Sequence, residues 1–117
     1  MMVGIDLVYV PRIAALLKKG PFLQRFFTQG EIAYFEKRNS PSVVAGNFAA
    51  KEAFSKALGT GIRDFSLKDV EVLRDELGKP IIHLHGTLEK RQFRFLQCSI
   101  SHDGDYATAV VVMEEKI

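Results

Sequence analysis

An α+β fold is what this 117-residue sequence predicts, on three observations. Apolar residues at helical three-and-four spacing are gathered mainly in the first half of the chain. Period-two alternation takes over in the second half. The breaks between those later segments are short and rich in Gly and Asp, which suits hairpins and not helical crossovers. The expected architecture is a mostly antiparallel sheet of about five strands packed against one long helix. It should form a single domain over residues 1–117, since the length suits one domain and no linker, repeat or low-complexity stretch divides it.

Each element has a local reason. Met2–Val10 is the expected first strand, with Val3, Ile5 and Leu7 on one face and Gly4, Asp6 and Val8 on the other. Pro11 suits the first turn of a helix over Arg12–Lys18, which Gly20-Pro21 ends. Phe22–Phe27 is a short helix. Thr28-Gln29-Gly30-Glu31 has capping-box spacing and opens a helix over Gln29–Lys37. After the break at Asn39-Ser40-Pro41, Ser42–Leu58 is the longest helical pattern, and Gly59-Thr60-Gly61 stops it. Asp69–Arg74 and Pro80–Leu84 read as strands joined by the loop Asp75–Lys79. Thr87–Phe93 reads as a short helix. Gln97–His102 and Tyr106–Met113 are the last two strands, with Asp103-Gly104 as a hairpin signal between them.

Composition excludes several classes. Hydrophobic residues at 47% and charged residues at 26% are too apolar a mix for a disordered chain. The single cysteine, Cys98, excludes an internal disulfide and a multi-cysteine zinc site. Cys98 alternates with Ile100 and reads as core. No apolar run is long enough to span a membrane, and no basic start precedes an apolar block. A cytoplasmic protein is expected. The net charge of +2 gives no basis for nucleic-acid binding. Its distribution is uneven, however. Between Leu7 and Gly30 there is no acid, while Arg12, Lys18, Lys19 and Arg25 all occur. Such a patch is either a solvated helix face or a docking surface for an acidic partner.

Two carboxylates stand out. Asp6 interrupts the apolar run Gly4-Ile5-Asp6-Leu7-Val8, where a charge is costly unless something meets it. Glu52 shares one side of the long helix with Ala45, Phe48, Ala49 and Lys56. One reading is an ordinary i,i+4 pair between Glu52 and Lys56. The other is a shared hard cation such as Mg²⁺, which takes one or two protein carboxylates and leaves its other positions to water and phosphate oxygens. Lys56 would then neutralise a phosphate, and the Gly59-Thr60-Gly61 loop would let backbone approach a ligand. It is not a Walker loop. His83 and His85 alternate on a strand without a third metal ligand in view. His102 beside Asp103 is either a catalytic pair or a turn cap.

Gly4-Ile5-Asp6, followed by Phe48-Ala49-Ala50-Lys51-Glu52-Ala53-Phe54-Ser55-Lys56-Ala57, resembles the holo-acyl-carrier-protein synthases, the small bacterial type of phosphopantetheinyl transferase. Arg25-Phe26-Phe27-Thr28 with Glu31, Leu58-Gly59-Thr60-Gly61-Ile62, Gly78-Lys79-Pro80, and Ser99-Ile100-Ser101-His102 with Tyr106-Ala107 extend the resemblance along the whole chain. It implies the phosphopantetheinyl transferase fold. It also implies transfer of 4′-phosphopantetheine from coenzyme A to a serine of apo acyl carrier protein, for fatty acid biosynthesis, with release of adenosine 3′,5′-bisphosphate. By matching position, Asp6 and Glu52 would hold Mg²⁺. Lys51, Lys56, Gly59, Thr60 and Gly61 would lie at coenzyme A. Asp6, Glu52, Lys56 and His102 would form the catalytic set, with the serine proton going to a metal-bound water, to Glu52 or to His102. Carrier proteins are acidic, so Arg12, Lys18, Lys19 and Arg25 would dock one. The family is typically a homotrimer with sites at subunit interfaces. One departure stands out: the family commonly has Arg just before the Phe-Ala-Ala-Lys-Glu-Ala run, where this chain has Asn47, so that contact is lost or supplied by another residue, Arg63 or one from a neighbouring subunit. Two rivals remain, a non-catalytic carrier-protein or nucleotide-binding module and a metal-dependent phosphohydrolase.

Overall fold

The structure, a computed structural model, describes residues 1–59 and 64–117. In chain order the elements are β1 (Met2–Tyr9), α1 (Val10–Leu17), α2 (Phe22–Phe26), α3 (Gln29–Arg38), α4 (Pro41–Leu58), β2 (Val70–Arg74), β3 (Pro80–Leu84), β4 (Phe93–Asp103) and β5 (Tyr106–Glu115). Their boundaries follow from the local chemistry. Pro11 sits in the first turn of α1. Thr28 Oγ1 accepts from the Glu31 amide while the Glu31 carboxylate accepts from the Thr28 amide, closing the capping box of α3. Ser40 caps α4, Pro41 occupies its first turn, and Gly59 ends it in the left-handed region at φ 77°.

Strands β1, β5 and β4 form an antiparallel sheet in that order, with Asp6 opposite Ala109 and Ala109 opposite Ile100. Helix α4 crosses one face of it. Ala45, Ala49, Ala53 and Ala57 keep that face of the helix thin, and Val8, Ala107, Ala109, Val111 and Met113 meet it from the sheet. The approach is closest at Gly4, where a Cβ would strike the Ala53 carbonyl oxygen and lie 2.6 Å from the Ala57 nitrogen. Only glycine allows β1 and α4 to be this near. Phe54 is fully buried, and Phe48 packs on Phe22, Phe26 and Phe27, so both rings of α4 are used within the chain.

The five strands are divided between two sheets, where a single sheet was expected. Strands β2 and β3 form a separate antiparallel hairpin. The reason is chemical. Val70 O, Val72 N and Val72 O bond to the side chains of Lys51, Glu31 and Asn47, so that edge of β2 is closed by side chains and not by a strand. Residues 86–90 form a short 3₁₀ turn in place of the helix expected over 87–93. Strand β4 starts at Phe93, four residues before the expected Gln97. A register shift between Phe93 and Phe95 breaks the alternation there and hides the strand from sequence reading.

The outward face of β1 is its apolar one. Val3, Ile5 and Leu7 are 62–64% exposed, and Tyr9 continues the stripe beside Tyr106, with ring centroids 5.4 Å apart.

Candidate active site

The alternation of β1 turns Asp6 toward α4, between the buried Gly4 and Val8. Lys56, one turn after Glu52 on α4, reaches back with its Nζ 3.0 Å from Asp6 Oδ1. Of the two readings of Lys56, the i,i+4 pair with Glu52 gives way to a bridge between helix and strand. The Asp6 side chain is 15% exposed and that of Lys56 57%, so the pair opens on one side to solvent. Glu52 is half-buried beside it. Burial first, and the charge of Asp6 second, raise the Glu52 carboxyl above its ordinary 4.5, while Lys56 pulls the other way. Two like charges held close on rigid elements, with hard oxygen donors and one flanking ammonium, fit a divalent cation such as Mg²⁺. It would relieve the repulsion and leave most coordination positions to water and phosphate. Among the described residues no group of three His, Cys, Asp or Glu is placed to hold a metal. Among the described residues the donor set is thus the two carboxylates, Asp6 and Glu52.

Gly59 lies at the C-terminus of α4, one turn beyond Lys56. Thr60 and Gly61, expected beside it at the cofactor, and Arg63, considered for the phosphate contact, lie outside the described residues.

Lys51, also expected at the cofactor, is turned into the core. Its side chain is fully buried. The ammonium donates to Glu31 Oε1 at 2.7 Å, Val70 O at 2.7 Å and Leu67 O at 3.0 Å, and lies 4.9 Å from the centroid of the Phe27 ring. All its donors are engaged inside the fold. It is a structural cation that ties α4 to α3 and β2.

His102 stands apart from Asp6. It sits on β4, while Asp6 is on β1 with β5 between them. That separates the backbones by about 10 Å, two strand spacings. His102 Nε2 lies 2.8 Å from the Ser42 carbonyl oxygen, so it donates there, and the ring packs against Gly46 in the first half of α4. Of the two histidines on β3 and just after it, His83 is exposed. His85 pairs with Glu71 at 2.8 Å, and Glu71 also accepts from Thr28 Oγ1 at the cap of α3. These groups fasten the β2–β3 hairpin to the helices. Cys98 is buried, which pushes its thiol up to about 11 and leaves it unsuited to nucleophilic work.

Arg12, Lys18, Lys19 and Arg25 are all exposed. Lys19 and Arg25 rim a cleft of about 430 Å³ whose floor is Leu16, Pro21, Phe22, Phe26 and Phe48. The Arg25 guanidinium lies 5.4 Å from the Phe26 ring centroid. Two of the four cations therefore border an apolar groove.

Sequence reading missed Arg74. It receives Asn47 Oδ1 as an acceptor at 2.8 Å and stacks 5.0 Å from the Tyr34 ring. The alternation Val70, Val72, Arg74 was the available signal, because it places a cation at the end of a buried strand face.

Against known proteins, the model of the 4′-phosphopantetheinyl transferase superfamily matches residues 2–111. The holo-[acyl-carrier-protein] synthase of Clostridium beijerinckii is 49% identical over 118 residues, covering 96% of this chain and 95% of that protein. The crystal structure of Helicobacter pylori holo-[acyl-carrier-protein] synthase in complex with coenzyme A is similar with a TM-score of 0.86 at 38% identity, covering 97% of this chain and 100% of that one. The Bacillus anthracis holo-(acyl-carrier-protein) synthase in complex with CoA (3′,5′-ADP) gives 0.83 at 38% identity, covering 98% and 96%.

Proposed function

The chain belongs to the 4′-phosphopantetheinyl transferase superfamily, and from that membership we propose that it loads acyl carrier protein. It transfers 4′-phosphopantetheine from coenzyme A to a serine of the apo carrier protein and releases adenosine 3′,5′-bisphosphate. The observation that carries this reading is the Asp6–Glu52–Lys56 group, held between β1 and α4 in a chain that matches its relatives end to end.

The reaction forms one bond, from the serine oxygen to the phosphopantetheine phosphorus, and breaks the pyrophosphate P–O bond to the leaving bisphosphate. Catalysis of such a transfer is mainly positioning and charge stabilisation. Asp6 and Glu52 would hold Mg²⁺, which when bound supplies charge neutralisation at the pyrophosphate. Lys56 presents an ammonium from the same side, with Asp6 fixing its direction. The serine proton needs an acceptor, and a carboxylate such as Glu52 is suited to hold one. His102 is the alternative acceptor. The test is mass spectrometry of apo acyl carrier protein incubated with this chain, coenzyme A and Mg²⁺, beside an EDTA control. One added phosphopantetheine, lost with EDTA, is the expected result. No gain with coenzyme A still bound overturns the reaction in favour of a binding module.

The carrier protein docks on the cationic groove. Arg12, Lys18, Lys19 and Arg25 meet its acidic surface, and the apolar floor takes its side chains. Arg25→Glu is expected to raise KM for the carrier protein at least tenfold more than KM for coenzyme A. Equal losses on both would remove the docking assignment.

The exposed stripe of Val3, Ile5, Leu7 and Tyr9 supports a homotrimer, since apolar side chains in a row on a strand favour burial against another copy. The separation of His102 from Asp6 supports sites completed between subunits. Activity per chain should then fall on dilution below the assembly constant. A specific activity independent of dilution in a chain shown to be monomeric would count against the trimer. No described helix is long and apolar enough to cross a membrane. The cytoplasm is the proposed compartment because both substrates are soluble molecules of it.

A further inference from the structure

Arg74 closes the inward series Val70, Val72, Arg74 on β2, and its guanidinium is fixed on several sides. Nη2 donates to Asn47 Oδ1 at 2.8 Å, Nη1 approaches the Leu73 carbonyl oxygen at 3.4 Å, and the Tyr34 ring lies 5.0 Å away. Asn47 has no freedom to turn. It is fully buried, and its Nδ2 donates to Glu31 Oε2 at 3.1 Å and to Val72 O at 2.9 Å. With both amide hydrogens engaged, Oδ1 can only face Arg74.

This cation is anchored by neutral oxygens alone. Among the described residues no carboxylate forms a salt bridge with Arg74, and the nearby Glu31 is engaged by Lys51, Asn47, Thr28 and Val72. Arg74 borders an open cavity of about 210 Å³. Its described lining includes Tyr34, Arg38, Arg74, Pro80 and His102, and holds no acid. Burial pushes the guanidinium below its usual proton affinity, with the charge of Glu31 opposing and that of Arg38 adding to it, and a bound anion would favour the charged form. A planar fork, oriented in advance and lacking a counter-ion, is suited to a phosphate.

Coenzyme A has two phosphate centres. Under the transferase reading its pyrophosphate lies at Asp6, Glu52 and Lys56, which leaves the ribose 3′-phosphate. Helix position 47, where the resembling family commonly carries arginine, here holds the asparagine that orients Arg74. We propose that Arg74, positioned by Asn47, binds the 3′-phosphate of coenzyme A, so that strand β2 supplies the guanidinium that α4 lacks. This rests on the transferase reading.

The test titrates adenosine 3′,5′-bisphosphate and adenosine 5′-monophosphate by calorimetry into wild type, Arg74→Gln, Arg74→Lys and the exchange variant Asn47→Arg with Arg74→Asn. Wild type should prefer the bisphosphate. Arg74→Gln, which can still donate to Asn47 and so keep the fold, should lose roughly tenfold to a hundredfold of that preference. Arg74→Lys should recover part of it, and the exchange variant should restore it. An unchanged preference in Arg74→Gln overturns the assignment. So does a folded exchange variant without recovery. Wild-type transfer to carrier protein is measured alongside. Its absence overturns the proposed function, whereas its presence with an unchanged preference in Arg74→Gln overturns only the part given to Arg74.

Discussion

Lys51→Met is expected to cost about 3–5 kcal/mol of stability, the range for removing one partner of a buried ion pair. A domain of this size has only about 5–15 kcal/mol in total. The substitution keeps most of the side-chain volume and removes only the ammonium, so packing is not the cause. Glu31 Oε1 loses its charge partner, and the carbonyl oxygens of Val70 and Leu67 lose their donor. Glu31→Gln should cost a similar amount, because its NH2 would face donors, either Lys51 and the Thr28 amide or Asn47 and the Val72 amide, and the Lys51 ammonium would stay buried without a counter-charge. Burial already raises Glu31 above its ordinary 4.5, and Lys51 and the hydrogen bonds offset that. Without Lys51 the carboxyl rises further. A group raised in the folded state adds stability below its unfolded value and loses it as pH rises through the folded one. The deficit of Lys51→Met should therefore be largest at neutral pH and shrink as pH falls toward 4.5. Urea unfolding across that range measures it, and a cost under about 1 kcal/mol would remove the pair from the list of what holds α4 to β2.

Asp6→Asn and Glu52→Gln should each lower transfer by about a thousandfold, since metal-held charge stabilisation is worth several kcal/mol and each 1.4 kcal/mol is a factor of ten. Both substitutions preserve shape. A second readout distinguishes a ligand from a structural group. Without metal, Glu52→Gln should melt higher than wild type at neutral pH, because it removes the Asp6–Glu52 repulsion. Glu52 is raised, so its charged form costs stability above 4.5 and nothing well below it. The gain should appear as pH rises and vanish in acid. Mg²⁺ should raise the melting temperature of wild type and leave both variants where they were. A variant that keeps wild-type transfer would end the metal-ligand assignment.

What the sequence showed was local. Asp6 and Glu52 could be aimed at each other because strand alternation and helix spacing each fix a direction from a few neighbours. The capping box at Thr28 and Glu31 was equally readable. Lys51 was misplaced because it lies one residue from Glu52, and one step around a helix is about 100°. That step turns it from the solvent side to the core, toward Glu31, Leu67 and Val70. Its partners lie 16 to 20 residues away, and no spacing rule names them. The split of the sheet had the same origin, since the edge of β2 is closed by Glu31 and Asn47 from distant helices. Asn47 drew notice as a missing arginine, but its hydrogen-bond partner Arg74 lies 27 residues further on.

The pairing of β1 with β5 has a consequence in time. Thr108 Oγ1 donates to the Asp6 carbonyl oxygen at 2.8 Å across a separation of 102 residues. Closing a loop of that length costs about 4 kcal/mol beyond a constant before any contact repays it. The four helices need no such closure and can form within microseconds of collapse. Strand β1 is made first, yet it has no sheet neighbour until β5 exists. Asp6 is consequently among the last groups to find its place, and during refolding the helical signal precedes the ability to transfer.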